Sequence, residues 1–401
     1  MNERLLALAI PLFLFFILLE YAAARRQKKQ THQYAESIAN LNVGIAERVT
    51  DMLTTGSFYF LFDYLHRHFA VWHIEANVWT WILLFLATDF VWYWYHRAGH
   101  RINIFWSVHV VHHQSEDFNY TVSTRITILQ AVARALFWSV LPLVGFPAHM
   151  IAVLLLVHGA YPFFTHTQVI GKLGWLEYII VTPSHHRVHH SSNPEYLDKN
   201  YGDMLIIWDK LFGTFALEKS EPRYGLTTPL NSYSFLWQHF HFILELVISW
   251  RRAAGWKAKL RVLFGKPDDI DPRIRLLLEK KLLRRKELQV HSPTLLRFVL
   301  VQTVATLVLL FCTIWFRENL APFQVGALAL LMLLTVVNSG AMLEQRQWVF
   351  HLDYLRLVLA GLLFYTYLPH VMAAYIIILL LSLVLAKYQS MQRWYCNALY
   401  G

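Results

Sequence analysis

Residues 5–21, 295–316, 323–337 and 355–385 are long apolar runs, and no other feature of the sequence restricts the fold as severely. A run of that length satisfies its own backbone hydrogen bonds only as a helix, and a chain with several such runs has too little polar surface to cover them in water. The composition agrees, with 56% hydrophobic and 15% charged residues in 401 and a mean hydropathy of +0.36. The expected fold is therefore all-α, a polytopic integral membrane protein. A net charge of +10 suggests nucleic acid in a soluble protein, but so apolar a chain has no broad surface on which to present a basic field, so no nucleic-acid partner is expected. Cys312 and Cys396 are too few and too far apart for a disulfide framework or thiol redox chemistry.

Arg25, Arg26, Lys28 and Lys29 follow the first run directly and place its C-terminal end in the cytoplasm, which in a bacterial cell means insertion in the inner membrane. Residues 45–65 and 79–95 read as two more spans, and 126–144 with 146–164 as a helical hairpin that crosses and returns. Between these lie two polar, histidine-rich blocks, residues 97–116 and 165–223. Residues 235–250 carry His239, His241 and Glu245 and read as an interfacial helix. Residues 251–286 hold 13 Lys or Arg, a cytoplasmic loop on anionic lipid. The last third supplies three or four further spans, with a break expected at Pro369. The division that follows is an N-terminal transmembrane region (1–78), a catalytic domain (79–250), a basic loop (251–294) and C-terminal transmembrane helices (295–401).

The chain has 21 histidines, and they cluster. His96 and His100 stand at i and i+4, so both rings share one helical face. His109, His112 and His113 follow in HVVHH, and His185, His186, His189 and His190 in SHHRVHH; the i, i+3, i+4 spacing again predicts rings on one side of a helix. His166 stands alone in FFTHTQ after the second arm of the hairpin. A single such histidine is ordinarily a hydrogen-bonded core residue, but clusters of them just outside apolar spans form a ligand set. Imidazoles suit iron and zinc, and this many exceeds the four positions of one zinc centre, so two metal ions are implied. The zinc-protease pattern HExxH is absent. Neutral nitrogen ligands at a membrane face fit two iron ions that activate O2 against a C–H bond of a lipid, with zinc able to enter the same site on overexpression.

The stretches HRAGH, WSVHVVHHQSEDFNY, TPSHHRVHH, NPEYLDKNYG and IIWDKLFGTF resemble the fatty acid hydroxylase and sterol desaturase superfamily, and within it the alkylglycerol monooxygenases and their bacterial relatives. The resemblance runs most strongly from about residue 79 to 228. It implies a histidine-rich helical cap on the cytoplasmic side, with two irons held by His96, His100, His109, His112, His113, His186, His189 and His190. His166 is implied as a ninth ligand, and His185 as a ligand or a hydrogen-bond donor to one. The reaction it implies is hydroxylation of the ether-linked carbon of an alkylglycerol lipid, with electrons from a reduced pterin or another donor. The family pattern carries acidic residues where this chain has Arg101 and Gln168.

Asp89, Glu116, Asp117, Asn193, Asp198 and Asp203 flank the histidines and are the expected partners for their outer ring nitrogens. Arg125, Arg187 and Lys199 are the expected contacts for a lipid headgroup, and the lipid chain is expected in an apolar cleft between spans. The alternative enzyme reading is a desaturase or hydroxylase of sterol, carotenoid or fatty-acyl substrates. Transport would put ionisable pairs at the bundle midplane rather than histidines at span ends, and simple lipid binding does not account for ordered histidine clusters.

Overall fold

The computed structural model describes residues 3–283, 290–367 and 371–401. Among the described residues the chain is helical throughout; strand-like pairing is limited to two isolated bridges, Ile180 with Leu205 and Ser191 with Tyr224. The helices are α1 (Glu3–Arg26), α2 (Tyr34–Phe69), α3 (Val78–Arg101), α4 (Asn103–His109), α5 (Tyr120–Ser123), α6 (Gln130–Trp138), α7 (Val140–Val144), α8 (Ala148–Thr165), α9 (Pro183–His189) and α10 (Ile207–Leu211). They continue with α11 (Phe235–Arg252), α12 (Gly255–Phe264), α13 (Arg273–Leu282), α14 (Pro293–Trp315), α15 (Pro322–Leu343), α16 (Val349–Tyr367), α17 (Val371–Ala386) and α18 (Tyr388–Tyr400).

Among the described residues five helices are long and apolar enough to cross a membrane, Arg4–Arg26, Ala148–Thr165, Pro293–Trp315, Pro322–Leu343 and Val349–Thr366, and the bent pair Ala374–Ala386 and Tyr388–Tyr400 would make a sixth if it is one span. Two expected spans fall outside this set. Helix α2 runs 36 residues, about 54 Å at the helical rise, and interrupts its apolar face with buried Asn40, Asn42 and Glu47. Helix α3 adds four Trp and two Tyr to its aliphatic residues, and their polar tips, with Asp89 and the histidine-bearing last turns, lower its hydropathy.

The expected hairpin is also corrected. Its first arm, Gln130–Val144, breaks at Ser139 and is too short to cross alone. Gly145 then reverses the chain at φ +133°, packed so closely on Trp72 that a Cβ would lie 2.1 Å from its carbonyl oxygen. The break expected at Pro369 lies outside the described residues, as do Arg284, Arg285 and Lys286 of the basic segment.

Of the five apolar clusters among the described residues, two flank the histidine-bearing ends. One packs Val43, Ala46 and Val49 of α2 against Phe242 and Leu246 of α11, Leu310 of α14 and Met332 and Val336 of α15, so the C-terminal helices seat on the N-terminal ones. The other packs Leu84 of α3 against Trp138, Leu141, Met150, Ile151 and Leu154 of α6 to α8. Between them α3, α4, α8 and α9 bring their histidine-bearing ends together. The face of α11 expected at an interface is instead inside the protein: His239, His241 and Glu245 are buried, with Glu245 accepting from Arg275 at 2.8 Å.

Candidate metal centre

The second and third motifs depart in part from the simple helical reading. His96 and His100 share the last turns of α3, and His186 and His189 share α9. Helix α4 ends at His109, and His112 and His113 sit on the short 3-10 turn that follows. Helix α9 opens with Pro183 and ends at His189, leaving His190 as its cap. His166 caps α8. Gly99 permits the approach of α4 to α3, since a Cβ there would press on the His109 side chain, 3.3 Å from Cγ and 3.4 Å from Cβ.

Nine histidines converge from these ends in two groups. His96, His100, His109, His113 and His189 form one, and His112, His166, His186 and His190 the other, with one nitrogen from each ring within 4.8 Å of the rest of its group. Adjacent residues divide between them: His113 and His189 belong to the first, His112 and His190 to the second. The stacked rings of His113 and His190, 4.4 Å apart, join the groups.

The outer nitrogens of four of the nine rings are held by backbone carbonyls, while His186 Nδ1 is buried without a partner. His96 Nδ1 donates to Tyr201 O at 2.9 Å, His112 Nδ1 to Arg125 O at 3.1 Å, His166 Nδ1 to Pro162 O at 2.6 Å and His189 Nδ1 to Lys199 O at 2.9 Å. In a neutral imidazole that bond fixes the proton on Nδ1 and leaves Nε2 a bare lone pair. Burial, followed by repulsion among the rings, holds His109, His113, His186 and His190 well below 6.5, and His112 likewise; burial puts His166 at about 4 and His189 at about 3.

The rings are therefore neutral, yet Nε2 of His112 lies 3.2 Å from Nε2 of His166, both bare and facing each other. Nε2 of His166 also faces those of His186 and His190 at 3.0 and 3.1 Å, and Nε2 of His109 faces those of His96 and His113 at 3.1 and 3.0 Å. Lone pairs converging at that separation repel unless a cation lies among them, so these residues fit two metal ions.

His185 joins neither group. Its Nδ1 accepts the Thr182 N–H at 3.2 Å and caps α9, and its ring packs near Phe215. The carboxylates and amide expected to orient the rings have other partners. Asp89 and Asp203 converge on His158. Asp117 accepts from Gln33 N, Asp198 pairs with Arg101, Asn193 holds the turn after His190 through Ser191 and Arg223 N, and Glu116 is exposed. Tyr201, Pro162 and the carbonyls of Arg125 and Lys199 take the orienting role, which no side-chain pattern in a sequence announces.

The headgroup assignments are likewise corrected for both arginines. Arg125 is 1% exposed and donates to Val111 O, Asn40 and Gln114. Arg187 is buried in a two-pronged pair with Glu218 at 2.7 Å and also donates to Thr167 O and Ile170 O, which ties the chain after His166 to α9. Lys199 is half-buried and meets the centre through its carbonyl.

A cavity of about 180 Å³ adjoins the His112–Gln114 turn, lined by Glu36, Gln114, Glu116, Arg125, Tyr233 and Gln238 among others. It is polar, unlike the apolar cleft expected for a lipid chain.

Residues 81–214 match the model of the fatty acid hydroxylase family. The chain is 34% identical over 346 residues to alkylglycerol monooxygenase of Homo sapiens, covering 84% of this chain and 77% of that one. It is 32% identical over 376 residues to alkylglycerol monooxygenase of Danio rerio, covering 88% and 81%. A shorter match, 29% over 153 residues, covers 37% of this chain and 45% of an ornithine lipid hydroxylase of Rhizobium tropici. No solved structure matches. On the extent of the two vertebrate matches, and with the histidine centre inside the matched segment, the chain belongs to the fatty acid hydroxylase and sterol desaturase superfamily, beside the alkylglycerol monooxygenases.

Proposed function

We propose that this protein is a membrane diiron oxygenase that hydroxylates a C–H bond of a lipid, with the ether-linked carbon of an alkylglycerol lipid as the first substrate to test. The observation that carries the reading is the convergence of bare, buried imidazole nitrogens in two groups, in a chain that belongs to an oxygenase family. With two iron ions bound, the centre would supply the activation of O2 that attack on an unreactive C–H bond requires.

The chain's own residues hold the ring nitrogens neutral and aimed inward through the carbonyls of Tyr201, Arg125, Pro162 and Lys199. Aromatic side chains exclude water around them: Phe118 stacks on His166 at 5.4 Å and on Tyr224 at 4.8 Å, and Trp106 lies against His100 at 5.3 Å. The overall change is RH + O2 + 2 e⁻ + 2 H⁺ → ROH + H2O, so an electron donor is required; a reduced pterin is the first to test.

The centre faces the cytoplasm in this reading. Its support is that the basic end of α1 lies against the loop after His166, with Gln27 donating to Val169 O and Lys29 to Gln168 O. The domain division at residues 79, 251 and 295 remains part of the proposal.

The test is metal content and 18O incorporation in detergent-purified protein supplied with alkylglycerol, fatty-acyl and sterol lipids. Iron bound in the wild type and lost in His112→Ala/His189→Ala, with one labelled oxygen in an alkylglycerol-derived product, is the expected result. A wild type that binds no transition metal after iron-supplemented expression overturns it.

A further inference from the structure

Asp89 on α3, His158 on α8 and Asp203 in the loop before α10 meet in the interior, outside the nine-histidine centre. The side chains of all three are 0% exposed. His158 Nδ1 stands 2.6 Å from Asp203 Oδ2 and 3.6 Å from Asp89 Oδ1, so one nitrogen faces two carboxylates. Among the described residues neither carboxylate has an ion-pair partner other than His158. Asp89 accepts three N–H donors, from Met204 N, Leu205 N and Trp208 Nε1, which favour the anion, while burial and then the neighbouring Asp203 push its carboxyl up to about 7. Asp203 Oδ1 is buried with no hydrogen-bond partner, as is His158 Nε2.

Two buried carboxylates this close repel strongly, and one imidazolium neutralises only one of them. Its second N–H would also have no acceptor, because Nε2 is buried without a partner in a ring that packs near Phe85 and Trp92, at 5.2 and 6.4 Å between ring centres. A divalent cation answers both difficulties: it neutralises the pair and leaves the ring uncharged.

We propose that Asp89, His158 and Asp203 form a third metal site, closed and structural, that takes a single divalent transition ion of the zinc or manganese class. One imidazole nitrogen and two carboxylates are an ordinary donor set for such ions, and the unpartnered Asp203 Oδ1 is available as a fourth donor. The site braces the dimetal centre. Asp89 lies seven residues, about 10 Å, before His96 on α3, and His158 eight residues, about 12 Å, before His166 on α8. Asp203 follows by two residues the Tyr201 whose carbonyl orients His96. The ion would pin together three elements that carry or orient the catalytic rings, at a depth where an ionisable group in a span otherwise needs a partner.

The experiment counts metal in the full chain, purified in detergent after expression with iron, zinc and manganese, for the wild type, His158→Asn, Asp203→Asn and His112→Ala/His189→Ala. The expected result is about three equivalents in the wild type, about two in each triad variant and about one in the double histidine variant. A wild type with about two equivalents, unchanged in His158→Asn and Asp203→Asn, overturns the site and leaves the dimetal reading intact. If the triad variants do not fold, the double histidine variant decides: about one residual equivalent supports the site and none overturns it. A wild type holding about one equivalent that Asp203→Asn removes would uphold this site and sink the dimetal reading.

Discussion

The nine-histidine centre and the Asp89–His158–Asp203 cluster both draw on α3 and α8, yet they handle burial in opposite ways. At the centre the donors are neutral, each orienting bond ends on a backbone carbonyl, and an empty site costs lone-pair repulsion but no net charge. In the cluster two of the three donors are carboxyls, three N–H groups converge on Asp89, and burial raises both acids, so a cation would be needed to hold the two together as anions. Neutral donors leave a bound metal its charge, whereas anionic donors largely neutralise it.

The sharpest way to break this comparison is His112→Ala/His189→Ala, which removes one donor from each group of the centre. Turnover should fall by about a thousandfold or more, because a nonproductive centre leaves no alternative oxidant. Thermal unfolding should change less than turnover. Asp203→Asn should do the reverse: it leaves His158 without its closest partner and should destabilise the fold by about 3–5 kcal/mol, read as a lowered Tm in detergent. A larger loss of turnover than of stability in that variant would undo the structural assignment.

Arg187→Ala, which leaves Glu218 unpaired and frees the segment after His166, should cost about 2–3 kcal/mol, and Arg187→Lys should recover only part of it because the fork is lost. The pH profile separates a third kind of buried acid. Burial pushes Asp117 up to about 7, and Glu36 and Glu116 nearby add to this. The folded state then keeps a proton that the unfolded chain releases above 3.8, so this group's contribution falls as pH rises from about 4 to about 7. Asp117→Asn should gain stability on the wild type across that interval, by on the order of 1–2 kcal/mol, in unfolding curves at pH 5 and 8. The smallest effect is expected at Arg101→Ala: its pair with Asp198 is 44% and 40% exposed, and its loss should cost less than about 1 kcal/mol.

The helical class and the histidine motifs were legible because both rest on local regularities, apolar run length and three-to-four-residue spacing. The same regularities misled where the helix stopped early. HVVHH has the spacing of one helical face, but α4 ends at His109, and the turn that follows sends His112 and His113 to different groups. Hydropathy likewise overstated 126–144, where the break at Ser139 and the reversal at Gly145 shorten the segment. His158 went unread although an ionisable residue inside an apolar span is a signal in its own right; what it lacked was a neighbour in sequence.

From its residues alone this chain was bound to be a helical membrane protein with imidazoles gathered at the ends of its spans, since apolar length and ligand type are properties of single segments. Tertiary structure alone decided the division of nine rings into five and four, the choice of carbonyls over carboxylates to orient them, the burial of Arg125 and Arg187, and the meeting of Asp89, His158 and Asp203. Each of these depends on distances between segments far apart in the chain, which local spacing does not encode.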